Sequence, residues 1–146
     1  MNKVINEFRG DYFFLSNFYP VKVVYCGIIF DSSEAAFQAA KCPERMREFC
    51  GLNPSEAKKL GRHVCLRDDW EEVKYDIMYE ICKEKFWQNP DLARRLICTD
   101  NDQLIEGNTW GDTVCGMCEG VGTNRLGKIL MRIRTEMAEK RLREEP

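Results

Sequence analysis

The chain has 146 residues, 24 acidic and 22 basic, with a formal net charge of −2. That length suits a single domain and buries a core without metal or disulfide staples. The near-balance of charge excludes a basic field for general binding to nucleic acid, so any such contact must come from a local patch or from recognition of one nucleotide. The opening MNKVINEFRG is too polar for a cleavable signal, and no run approaches the roughly 20 apolar residues of a membrane span. A cytoplasmic protein with no membrane partner is expected.

Residues 3–30 read as extended segments and turns. Val21–Tyr25 and Ile28–Phe30 flank Cys26-Gly27 and predict a β-hairpin. Asp31, Ser32 or Ser33 then caps a helix running to about Lys41, with a short helical piece near 44–50. Asn53-Pro54-Ser55-Glu56 combines an N-cap, a proline at the first helical position and an acid at the third, and starts a helix to about Leu60. Asp68 or Asp69 caps a longer helix with the stripe Trp70, Val73, Ile77, Ile81 and Phe86, and Asn89-Pro90 starts another to about Ile97. A strand at 104–108 and a glycine-rich loop over 107–122 follow. The last helix carries Leu126, Ile129, Leu130, Ile133 and Met137 on one face, and its charged tail is expected to fray from about Glu139. The pattern predicts an α+β fold: one mostly helical domain, 1–146, packed around a small antiparallel β-sheet.

Eight cysteines are present. Only Cys115 and Cys118 make a CxxC pair, no second pair follows at zinc-ligand spacing, and the single His63 is distant in sequence. Most of the cysteines read as reduced, buried small hydrophobes, and neither a metal nor a cofactor is expected.

On the helix from Ser32 to Lys41, a turn of about 100° per residue puts Glu34, Gln38 and Lys41 in one arc, opposite Ala35, Ala36, Ala39 and Ala40. Glu34 and Lys41 are two turns apart, about 10 Å along the axis, a span that holds two ends of a small ligand. By spacing alone the face also reads as a solvated helix surface, with Glu34 as a capping acid three residues after Asp31. Trp110 and Asp112 sit in a loop among glycines, where an indole stacks on a base and an acid holds a ribose or a water. The run Gly120–Gly127 opens the last helix, where backbone amides favour an anion or a sugar hydroxyl. Arg9 and Asn17 flank an aromatic N-terminal stretch and have the chemistry to reach a phosphate or a sugar.

Taken in order, these segments resemble the NADAR or YbiA-like family. The features are LSNFYP at Leu15–Pro20, G-x-x-F-x-S-x-E-x-x-F-Q-A-x-K from Gly27 to Lys41, Gly61-Arg62, Arg67-x-x-Trp70, Met78, Lys85-Phe86, Leu104-x-Glu106, Trp110-Gly-Asp112 and G-x-G-x-N-x-L-G-x-x-L-M-x-x-R from Gly120 to Arg134. The resemblance implies an N-glycosidase that cleaves a ribose–nitrogen bond without a metal. Its substrate is either ADP-ribose attached to guanine, including guanine in DNA, or a phosphorylated ribosylaminopyrimidine of riboflavin synthesis. It implies Glu34, Lys41 and Asp112 as catalytic residues, and Arg9, Ser16, Asn17, Phe18, Gln38, Arg62, Trp110 and Asn124 as substrate-binding ones. One departure is Cys115 before Gly116, where an aromatic residue is common in the family. A non-catalytic ADP-ribose or nucleotide-binding module is the alternative, and a thiol or metal sensor at Cys115 and Cys118 a third reading.

Overall fold

A computed structural model describes residues 3–108, 110–118 and 120–144. The chain divides into two compact units, one of residues 17–88 and one joining the N-terminal 16 residues to 89–146.

In the 17–88 unit, β2 (Val23–Tyr25) and β3 (Ile28–Phe30) form the expected hairpin, with Val23 opposite Phe30 and Tyr25 opposite Ile28. Both turn residues are left-handed, Cys26 at φ 52 and Gly27 at φ 75. That geometry matches the right-handed twist of the strands and is the reason a glycine follows the cysteine. Ser32 caps α1 (Ser33–Ala40), its Oγ accepting the Ala35 amide at 3.0 Å. A 3-10 helix spans Pro43–Phe49. Then α2 (Pro54–Gly61) opens with the reciprocal bonds read from Asn53 and Glu56. The nineteen-residue α3 (Trp70–Gln88) closes the unit. Ala35, Ala36 and Ala39 are fully buried among Phe30, Phe49, Ala57, Trp70 and Ile81. Small side chains on α1 are what let its backbone approach this cluster closely.

The other unit holds β1 (Val4–Ile5), α4 (Pro90–Ile97), β4 (Gln103–Leu104), β5 (Gly107–Asn108), β6 (Met117–Cys118) and α5 (Arg125–Glu144). Its ladders are parallel two-residue pairs, β1 with β4 and β5 with β6. Leu104, Leu126, Leu130, Ile133 and Leu96 are its most buried apolar side chains.

The α+β, mostly helical class is therefore what the chain adopts, with four local differences. Among the described residues the antiparallel sheet is the hairpin of β2 and β3. Residues 10–15 coil into a 3-10 helix rather than staying extended. The 104–108 strand is two separate pairs, because residues 105 and 106 lie outside either ladder. Finally, α5 stays helical through Glu144, past Glu139, with Arg132–Glu136 and Lys140–Glu144 pairs at helical spacing along it. The cysteines depart further from expectation: only Cys42 and Cys82 are buried, and Cys26, Cys50, Cys65 and Cys98 are exposed, since they fall on a hairpin turn, on a loop and on the residues that end two helices. Among the described residues no helix is long and apolar enough to cross a membrane.

Candidate active site

The polar face of α1 is built by its N-terminus. The Asn17 carbonyl accepts the Glu34 amide at 3.0 Å, and the Asn17 Oδ1 accepts the Ser33 hydroxyl at 2.9 Å and the Cys82 thiol at 3.5 Å. Asn17 thus pins the first turn of α1 from outside the helix. Because Ser32 is the cap, Glu34 sits at the second helical position, and the capping-acid reading does not hold. Its carboxylate instead faces along the helix: Gln38 Nε2 donates to Glu34 Oε1 at 2.8 Å. Both side chains are buried, Glu34 at 8% exposure and Gln38 at 5%.

The far end of Gln38 lies against α2. A β-carbon on Gly61 would sit 2.0 Å from Gln38 Oε1, and that oxygen is buried with no hydrogen-bond partner among the described residues. Only the bare α-carbon at position 61 leaves room for the amide that orients Glu34.

Lys41 is the last residue of the α1 turn, and its carbonyl accepts the Arg67 amide at 2.8 Å. Burial pushes its ammonium below the usual lysine range; Glu34 opposes that shift, and Lys58, Arg62 and Lys74 add to it. Glu34, Lys58, Arg62 and Lys74 are thus the charged side chains that bear on Lys41. Lys74 is paired with Glu71 at 2.5 Å, and Lys58 lies over the Phe18 ring at 5.8 Å. A buried carboxylate, a partly desolvated amine and surrounding cations suit proton transfer and nucleophilic chemistry on an anionic substrate.

Of the expected site residues, Asn17, Phe18, Glu34, Gln38, Lys41 and Arg62 belong to this unit, and Ser16 ends the other unit's N-terminal segment. Arg9, Trp110, Asp112 and Asn124 also belong to that other unit. There Asn108 staples a loop: its Nδ2 donates to the Asp112 carbonyl at 2.7 Å and its Oδ1 accepts the Asp112 amide at 2.9 Å. Asp112 Oδ1 accepts the amides of Val114 and Cys115, both at 3.1 Å. Trp110 is 61% exposed on this loop. Arg9 lines a cavity of about 270 Å³ with Glu7, Asn108 and Met117.

Asn124 has both ends of its amide on the backbone, with Nδ2 donating to Leu104 O at 2.9 Å and Oδ1 accepting the Glu106 amide at 3.1 Å. Both ends of the amide are thus engaged within its own unit. At the start of α5, the amides expected to meet an anion or a sugar hydroxyl are engaged instead. The Arg125 and Leu126 amides donate to Val114 O and Cys115 O, each at 2.9 Å, so the loop carbonyls already satisfy them.

Residues 5–138 match the family model described as the NADAR domain. The chain belongs to the NADAR family. It is 36% identical over 135 residues to a riboflavin biosynthesis protein of Vibrio vulnificus, covering 86% of this chain and 36% of that one. It is also 36% identical over 139 residues to the N-glycosidase YbiA of Escherichia coli, covering 88% of this chain and 83% of the relative. This NADAR chain thus spans about a third of the first relative and most of the second. The NMR structure of E. coli YbiA superposes with a TM-score of 0.89 at 31% identity, over 100% of this chain and 92% of that one.

Within this NADAR fold the sequence reading left Lys58, Asn108 and the buried Lys85 without a role. Lys85 shares its α3 face with Met78, Cys82 and Phe86, all buried, a second stripe beside the one read from spacing. The signal for two of them lay in chemistry out of place: a lysine among apolar residues at helical spacing, and an asparagine between glycine and threonine at the end of β5.

Proposed function

We propose that this NADAR chain is an N-glycosidase that hydrolyses a ribose–nitrogen bond. The observation that carries the reading is the Glu34–Gln38 pair, a buried carboxylate held by an amide next to Lys41. The names of the YbiA and riboflavin biosynthesis relatives support it.

Cleavage breaks the bond between the anomeric carbon and nitrogen, and the electron pair leaves with the base, which takes up a proton. Glu34 moves that proton and activates the water that adds to the anomeric carbon, and its charge stabilises the developing oxocarbenium. Lys41 gives a covalent variant. Its neutral amine adds to the anomeric carbon as the C–N bond breaks and the base leaves with the electron pair and a proton; the lysine nitrogen then expels the ring oxygen, which takes the amine's proton as a hydroxyl, and water hydrolyses the resulting imine to free sugar and amine. Two substrate classes fit: ADP-ribose on guanine, free or in DNA, and ribosylaminopyrimidine phosphates. The site of action is the cytoplasm.

The test is release of free base or of ribose phosphate, both substrates assayed side by side with wild type and Glu34→Gln. A fall of about 10²–10⁴-fold in Glu34→Gln with an unchanged Tm supports the assignment. Full activity in Glu34→Gln refutes it. Tight binding of ADP-ribose with no turnover by wild type points instead to a binding module.

A further inference from the structure

Lys58 is not explained by bond cleavage. It lies on α2 one turn before Arg62, so the two side chains leave the same face of the helix, roughly 5–6 Å apart at their β-carbons. The Gly61 contact with Gln38 presses this last turn of α2 against the polar face of α1. Lys58 and Arg62 are thereby brought to the C-terminal end of α1, where both act on Lys41. Among the described residues neither Lys58 nor Arg62 makes an ion pair with a carboxylate; Lys58 rests on the Phe18 ring instead, 5.8 Å from its centroid. An aromatic face holds a lysine in place while leaving its three N–H donors for another acceptor.

Like charges gathered beside a half-buried lysine repel one another, and the buried Glu34 offsets one of them. Glu34 is committed to Gln38 on one oxygen. A dianionic group is the ligand chemistry that relieves this excess while using the donors of both side chains.

We propose that Lys58, acting with Arg62, binds a phosphate group of the substrate and sets the preference of this site for phosphorylated over unphosphorylated N-ribosides. The inference deepens the glycosidase reading and rests on it for the identity of the substrate, while phosphate binding itself is independent of turnover. The phosphate is either the terminal monoester of a ribosyl phosphate or the diphosphate of an ADP-ribosyl group.

The experiment titrates inorganic phosphate and pyrophosphate separately into full-length wild type, Lys58→Gln and Lys59→Gln, followed by amide shifts. KM is then measured for a phosphorylated N-riboside and for its dephosphorylated form. Loss of Lys58 is expected to weaken binding of the preferred anion about tenfold. It is also expected to raise KM about tenfold for the phosphorylated substrate alone. Lys59→Gln, on the same helix, should leave both within twofold. Stronger binding of pyrophosphate assigns the diphosphate, and stronger binding of phosphate the monoester. Equal anion binding by wild type and Lys58→Gln, with cleavage intact, overturns the inference and leaves the glycosidase standing. Lys58-dependent binding with no cleavage of any N-riboside keeps the anion site and removes the glycosidase.

Discussion

The Gln38 amide oxygen and the Gly61 α-carbon occupy adjoining space so tightly that a methyl group on position 61 would lie 2.0 Å from Gln38 Oε1. Gly61→Ala must therefore displace the Gln38 amide, and with it the donor that holds Glu34. The expected outcome is a loss of about 1–3 kcal/mol in urea denaturation, as for other overpacked sites, together with reduced turnover. In a Gln38→Ala background the stability cost of Gly61→Ala should shrink, because the clashing atom is gone. An undiminished cost in the double variant would place the effect of Gly61 elsewhere.

Burial first, and the cations around Lys41 after it, lower the pH at which its amine is available. Burial holds it low, and Lys74 is one of the charges that add to the shift. Replacing Lys74 by Gln removes one positive neighbour, so the Lys41 pKa must rise and the neutral fraction at a given pH must fall. Borohydride trapping of substrate on Lys41 should accordingly begin at a higher pH in Lys74→Gln than in wild type, and vanish in Lys41→Arg. Trapping with the same pH onset in both proteins would contradict the electrostatic account.

Lys85 ties stability to alkaline pH. It is 1% exposed, packed against the rings of Tyr19 and Phe86 at 5.8 and 5.2 Å, and burial lowers its pKa to about 8 from the usual 10.5. Below the folded value both states carry the proton, and the burial penalty is present in full. Between about 8 and 10.5 the unfolded chain binds a proton that the folded chain does not. Stability therefore rises with pH across that window, by up to about 1.4 kcal/mol per pH unit. Denaturation of wild type and Lys85→Met at pH 8 and 10 isolates the effect. Wild type should gain relative to the variant at the higher pH, and a constant difference would refute the assignment.

Asn124 fastens the glycine-rich loop to β4. At φ 55 and 4% exposure it bonds Leu104 O and the Glu106 amide. Asn124→Ala removes both of these buried bonds and keeps a left-handed backbone without the side chain that supported it. A loss on the order of 2–4 kcal/mol follows, measurable as a drop in Tm. If Asn124→Ala keeps wild-type stability and loses only substrate affinity, the residue contacts ligand instead.

Local chemistry made much of the 17–88 unit legible. The Asn53–Glu56 capping box, the Cys26-Gly27 turn and the start of α3 after Asp69 depend on residues within four positions of one another, and sequence spacing reports such bonds directly. The arc of Glu34, Gln38 and Lys41 on one helix face is of the same kind. The two-residue parallel ladders were not legible: they pair residues about a hundred positions apart, or tie a glycine-rich stretch to itself with no alternation to mark it.

What the sequence determined alone was the face, with its acid, amide and amine at helical spacing, and the order of motifs that marks the family. Tertiary structure decided which neighbours that face has. Asn17 reaches the first turn of α1 across sixteen residues, Gly61 makes room for Gln38 from another helix, and Lys58 and Arg62 arrive with it. Helical periodicity fixes direction about one axis, whereas the approach of two helices follows from packing volumes summed over many side chains. The same reason hid Lys85, whose burial depends on what covers the second stripe of α3.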